Sequence, residues 1–142
     1  MKLIDKQLLD DVNRQAQKSD RLRMNYNFHQ SLDDRCHRFL NAVEPGTEVP
    51  IHRHLKTSET AICIEGCLDW IIYKELPTVV DGGPVHNGET ATDETQFTEA
   101  ARIRICPREG KYGIQVPLGA WHSIEVYEPS TIFEAKDGKY GE

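Results

Sequence analysis

The sequence predicts an all-β barrel or jelly roll preceded by one α-helix. Three observations carry this. One stretch near the N-terminus has helical periodicity. From Asn25 onward, short runs rich in Val, Ile, Phe, Tyr and Thr are punctuated by "EPG", "DGG", "REG", "PLG" and "EPS". The chain of 142 residues has the length of a single domain.

In residues 5–18, Leu8, Leu9, Val12 and Ala16 recur near helical spacing behind Asp5, a ready N-cap, so one amphipathic helix is expected there. It belongs to an N-terminal helical arm, residues 1–24, and residues 25–142 form the barrel. If "NYNFH" is a regular strand, Asn25, Asn27 and His29 share one face, and Tyr26 and Phe28 the other. Eight further strands are read in "CHRFLNAVE", "EVPIHRH", "TAICIEG", "CLDWIIYKE", "RIRICP", "YGIQVP", "WHSIEVYE" and "STIFEAK". A barrel of about eight strands can enclose one small ligand. Between them, residues 77–101 are polar, with a tight turn at Gly82 and Gly83, and read as a surface flap that leaves His86 solvated.

Composition narrows the function. The formal charge of -6, from 17 basic and 23 acidic residues, provides no basic footprint, which argues against nucleic-acid binding. "MKLIDKQLLDDVNRQ" is charged from its second residue, unlike a signal peptide, and no run approaches the roughly 20 apolar residues of a membrane span. A cytoplasmic protein is expected. Cys36, Cys63, Cys67 and Cys106 form no CxxC pair and read as free thiols used as small buried hydrophobes, with a Cys63–Cys67 redox pair as the alternative. A chain this long buries a core without staples, so a metal here would be functional.

The stretch "GTEVPIHRHLKTSETAICIEG" carries the chemistry. If "EVPIHRH" is a strand, its period of two sends His52 and His54 to one face, and Glu59 can return a carboxylate from the next strand. In "VPLGAWHSIEV", a turn at Pro117 and Gly119 delivers His122 near the start of another strand. Three neutral imidazoles and one carboxylate suit one divalent first-row ion, Zn, Fe, Mn or Ni.

From Gly46 there are five residues to His52, one to His54, four to Glu59 and six to Gly66. This matches the first cupin motif, G(X)5HXH(X)3-4E(X)6G, and "PLGAWH" supplies the PxGxxH of the second. Two second-motif positions depart: its leading glycine is Lys111, flanked by Gly110 and Gly113, and its closing asparagine is Val126. The chain thus resembles the cupins. The resemblance implies a double-stranded β-helix barrel with a metal held by His52, His54, Glu59 and His122, and a homodimer. "RLRMNYNFHQSLDDRCHRFLNAVEPGT", "GKYGIQVPLGAWHSI" and "FEAKDGKY" are similar to the WbuC family of cupin-fold metalloproteins. That likeness implies a small bacterial cupin often encoded among genes for surface polysaccharides, with no settled reaction.

Around the site, Asn27 and His29 are expected to line the pocket, with His29 a proton donor or acceptor, unless the strand turns this face to water. Arg38 is expected to hold a carboxylate or phosphate, or else to pair with Asp33 or Asp34; His37 points the opposite way. Tyr112 and Trp121 could form an aromatic wall or pack in the core, and Tyr140 could close over the barrel mouth. The leading function is metal-dependent chemistry on a small molecule, either sugar isomerisation or epimerisation, or oxidation of the cupin dioxygenase kind. The alternatives are a non-catalytic binder of a sugar or small acid, and an assembly module working through its dimer.

Overall fold

The computed structural model describes residues 1–77, 88, 91 and 95–139. Helix α1 spans Lys6–Lys18, and the Asp5 carboxylate caps it by accepting from the Leu8 N–H at 3.0 Å. Leu8, Leu9, Val12 and Ala16 are all buried. They pack on Leu40 and Ala42, with Met24, Tyr26, Phe28 and Phe133 around them, so α1 covers the outer face of the first strands.

Among the described residues six strands follow: β1 (Arg23–Asn27), β2 (Cys36–Val43), β3 (Glu59–Glu75), β4 (Phe97–Ile105), β5 (Gly113–Val116) and β6 (Trp121–Asp137). They form one antiparallel sheet in the order β1-β2-β6-β3-β4, with β5 paired to the first residues of β3. The expected strand pairs "TAICIEG" with "CLDWIIYKE", and "WHSIEVYE" with "STIFEAK", are each one continuous strand of 17 residues. β3 and β6 pair from Glu59 opposite Lys136 to Tyr73 opposite Trp121, and the register shifts between Cys63 and Leu68. Those shifts invert the pleat. Ala61 and Cys63 face inward before them, Leu68 and Trp70 after them.

The inversion is a corner, and Gly66 occupies it. Its φ is +108°, and a Cβ there would fall 2.6 Å from Ser130 Cα. Past the corner the sheet turns over on itself, so residues before it (Ala61, Cys63, Ile132) and after it (Leu68, Trp70, Ile105, Val126) share one core. A second close approach falls at Gly113, where a Cβ would stand 2.3 Å from the Ala61 carbonyl oxygen. The second motif's leading glycine, absent at Lys111, thus has a counterpart two residues on.

"EVPIHRH" is not a strand. Pro50 has no N–H to offer a ladder, and among the described residues His52 makes only an isolated bridge to His122. β4 begins at Phe97, so the end of the expected excursion is strand. The Gly82–Gly83 turn, His86 and Tyr140 lie outside the described residues. Cys63, Cys67 and Cys106 are buried free thiols and Cys36 is exposed; Cys67 neighbours Cys106, following the Leu68–Ile105 pair. Among the described residues no helix is long and apolar enough to cross a membrane.

Candidate metal centre

The interior that the apolar core leaves unfilled is a cavity of about 620 Å³, and His52, His54, Glu59 and His122 all line it. Backbone bonds fix each ligand's place. His52 and His122 exchange N–H···O=C bonds at 3.1 and 2.8 Å, the Gly119 N–H donates to the His54 carbonyl at 2.7 Å, and Glu59 is the first residue of β3. The ring centroids of His52 and His122 are 4.3 Å apart, those of His52 and His54 5.2 Å, and those of His54 and His122 5.6 Å.

The tautomers follow from the carbonyls beside two of the rings. Nδ1–H of His52 donates to the Pro50 carbonyl and that of His122 to the Ala120 carbonyl, both at 2.9 Å. Each ring therefore offers a bare Nε2, the state in which imidazole binds a metal. Nε2 of His54 and of His122 is buried without a hydrogen-bond partner. His54 Nε2 lies 3.0 Å from Glu59 Oε2 but off the hydrogen-bonding direction, as expected of two donors aimed at a common point.

Ligand atoms of the three histidines all lie within 4.8 Å of one another. Bonds of roughly 2.0–2.2 Å to a first-row ion set donors ~3–4 Å apart, so small side-chain movements complete the shell. The residues fit a divalent cation. Burial alone would lift the Glu59 carboxyl, but His54, His122 and Glu134 hold it down to about 2. Burial, reinforced by His52, pushes His122 down to about 4, so its imidazole stays neutral at pH 7. Glu134, fully buried beside the Glu59 carboxylate, is pushed well above the usual carboxylate range and is a neutral acid; Asn41 Nδ2 donates to its Oε2 at 3.1 Å. One carboxylate thus faces the three imidazoles, leaving a divalent ion a net charge near +1.

The rest of the cavity is largely polar. Arg23, Asn25 and Asn27 alternate along β1, and they line it together with Arg21 and His29 on either side. β2 contributes His37, Phe39 and Asn41, which places Asn27, Phe39 and Glu134 in one row across the sheet and Asn25, Asn41 and Ile132 in the next. The inward residue of β2 is therefore His37. Arg38 shares the phase of Leu40 and Ala42, which face α1, so it is exposed outside the cavity, contrary to the orientation expected for an anion-holding residue. Its backbone serves the site instead: His29 Nδ1 stands 3.1 Å from both the Arg38 N–H and the Arg38 carbonyl oxygen, which anchors the ring in either tautomer. His29 stacks on His37 with centroids 4.1 Å apart.

Tyr112 is 60% exposed and lies outside the cavity. Trp121 is buried outside it too, between the Arg53 guanidinium at 4.3 Å and Phe97 at 5.1 Å. Neither forms the aromatic wall, and of the two only Trp121 takes the alternative of packing in the interior; the cavity's tryptophan is Trp70, stacked on His122 at 5.7 Å. Arg21, Arg23, Asn41, Trp70 and Glu134 were not singled out from sequence. The alternation in "RLRMNYNFH" could have pointed to the two arginines, whereas nothing local in "TIFEAK" distinguishes a buried Glu134 from an exposed one.

A family model described as Domain of unknown function (DUF6016) matches residues 4–82, a span that includes His52, His54 and Glu59 and stops before His122. No curated protein matches the chain. Among solved structures it is similar to KdgF from Halomonas sp., with a TM-score of 0.54 and 11% identity over 82% of this chain and 81% of that one. The cupin domain of Cnp3 from Schizosaccharomyces pombe aligns with a TM-score of 0.54 and 10% identity over 82% of this chain and 61% of that one. An uncharacterized conserved protein with a double-stranded β-helix domain from Klebsiella pneumoniae aligns with a TM-score of 0.53 and 13% identity over 100% of this chain and 94% of that one. At these identities the likeness shows the fold, a cupin double-stranded β-helix.

Proposed function

Because the chain belongs to the family described as a domain of unknown function (DUF6016), whose description carries no reaction, we propose from the site itself that it is a metal-dependent cupin enzyme acting on a small, polar, sugar-derived molecule. The observation that carries this reading is the buried Nε2 of His122, which no protein group satisfies and which converges with His52, His54 and Glu59 at an open cavity. An unsatisfied buried polar atom costs about 1–3 kcal/mol, a cost that a bound cation removes. A bound ion would polarise a substrate carbonyl or hydroxyl, or acidify a water.

The chain's own groups do the rest. The Pro50 and Ala120 carbonyls hold two ligand rings in orientation, and Glu59 supplies the negative charge. Asn25, Asn27 and Asn41 offer amides to hydroxyl groups, and His29 is the candidate for proton transfer. The sugar-derived class is supported by this amide-lined wall and by the resemblance to the WbuC family.

The test is elemental analysis of protein purified without chelator or nickel resin, beside the double variant His52→Ala, His54→Ala. About one equivalent of metal in the wild type and none in the variant is expected. A wild type that stays metal-free after Mn, Fe, Zn and Ni are each offered would falsify the reading.

A further inference from the structure

We infer that the cavity binds the anionic group of its ligand, a carboxylate or phosphate, between Arg21 and Arg23, which makes the substrate class a sugar acid or sugar phosphate. The inference rests on the proposed function for the enzymatic use of the site, and on the two arginines alone for the anion.

Arg21 and Arg23 both line the cavity, and among the described residues neither forms an ion pair. The contrast with the outer surface is sharp: Arg102, Arg104 and Arg108 each meet a carboxylate there. Asp20 and Glu48 share a neighbouring notch with the two arginines, yet pair with neither. Arg23 is anchored by neutral acceptors, the Glu48 carbonyl at 2.9 Å and Thr47 Oγ1 at 3.5 Å, which hold the guanidinium in place without neutralising it. Burial and the nearby Arg21 both weaken its hold on its proton, and no acid offsets them. With Arg23 half-buried and Arg21 exposed beside it, two guanidinium groups at the cavity that no carboxylate engages are available to an entering anion.

The backbone between them is a fixed turn. Leu22 has φ +54°, the only positive φ of a non-glycine among the described residues. Its turn is closed by Leu22 N–H to the Ser19 carbonyl and Glu44 N–H to the Leu22 carbonyl, each 3.0 Å, and Thr47 Oγ1 donates to the Arg21 carbonyl at 2.7 Å. Thr47 therefore braces the backbone of one arginine and the side chain of the other. Beyond them the wall continues through Asn25 and Asn27 to His29, neutral donors and acceptors suited to hydroxyl groups. The cavity's basic side chains are Arg21, Arg23, Arg53 and Lys136, and its two carboxyls, Glu59 and Glu134, lie together at the metal end.

The experiment is calorimetric titration at low ionic strength of metal-loaded wild type, Arg21→Gln, and Arg21→Gln with Arg23→Gln, using glucuronate, glucose 6-phosphate and glucose as probes. The expected result is that at least one anion binds about tenfold or more tighter than glucose and loses roughly tenfold per guanidinium removed, with metal content unchanged. Which anion wins separates carboxylate from phosphate. Arg21→Gln leaves the Thr47 and Glu48 contacts of Arg23 intact, so its loss of affinity does not reflect a disturbed loop. Glucose binding as tightly as both anions, anion affinity unchanged in the double variant, or no anion binding up to about 10 mM overturns the inference. The same titration with inorganic phosphate on metal-free His52→Ala, His54→Ala protein separates the two proposals. Persistent binding that the arginine changes abolish supports the anion site whatever becomes of the metal; binding lost there but insensitive to the arginine changes assigns the anion to the metal and overturns the inference.

Discussion

Gly66→Ala should destabilise the barrel at its corner. At φ +108° the added methyl imposes backbone strain of about 1–2 kcal/mol. It would also stand 2.6 Å from Ser130 Cα and Cβ and 2.1 Å from Oγ, well inside contact distance. Ser130 cannot swing clear, because its hydroxyl accepts from the Cys67 N–H at 3.0 Å and donates to the Glu128 carbonyl at 2.7 Å, and Cα belongs to the backbone of β6. Overpacking of this kind costs about 1–3 kcal/mol more. The sum, ~2–5 kcal/mol, is a large part of a domain's stability. At about 3 °C per kcal/mol for this length, the melting temperature should fall by roughly 6–15 °C in a thermal unfolding scan. Adding Ser130→Gly removes two of the three clashing atoms and should recover part of the loss. A single variant melting within about 2 °C of wild type would show that the corner has room, and the steric account of the motif's closing glycine would be wrong.

Two further outcomes concern the site's electrostatics. His122, pushed from its ordinary 6.5 to about 4, resists protonation only in the folded state, so its own contribution to the stability of metal-free protein should fall by roughly 2–3 kcal/mol between pH 7 and pH 4.5. Glu59, held down to about 2, keeps its own contribution until below its ordinary 4.5, whereas Glu134, pushed well above that value by burial, shifts stability the opposite way as pH falls, so the histidine is read as the difference between wild type and a His122 variant. Urea melts of chelated wild type and His122→Asn read it, and equal pH slopes in the two would contradict the assignment. Glu134→Gln replaces a neutral acid with a neutral amide of the same shape, so metal content should hold and the melting temperature should stay within about 3 °C. A loss of more than about tenfold in metal affinity would mean that Glu134 carries charge in the wild type.

Much of this was readable before any coordinates. The helix announced itself through a cap and a period, and the four residues that converge do so from fixed spacings around glycines, of which Gly66 is sterically required. What escaped was phase and continuity. "IEGCLD" looks like a turn between strands because a glycine in a strand marks either a break or a bulge, and only Ser130, far along the chain, makes it a bulge. Choosing Arg38 over His37 was a choice of face, and that face is set by α1 covering Leu40 and Ala42. Trp121 precedes His122 on one strand and so points away from it, while Trp70 reaches the histidine from the neighbouring strand. Glu134 is buried by its surroundings in space, for which no local pattern exists.

The corner in the β3–β6 ribbon has a mechanical meaning. On a flat ladder Glu59, opposite Lys136, and His122, opposite Ile72, would stand roughly 40 Å apart at ~3.3 Å per residue. Folding at Gly66 brings Glu59 to 3.0 Å from His54, whose ring lies 5.6 Å from that of His122. An ion held by both strands would therefore buckle the two tips of a single bent belt, closing a long loop of chain as a cross-link does. Ligation and curvature become one equilibrium: straightening the belt pulls the buckle apart, and removing the buckle lets the belt relax at a bend that touches none of the ligands.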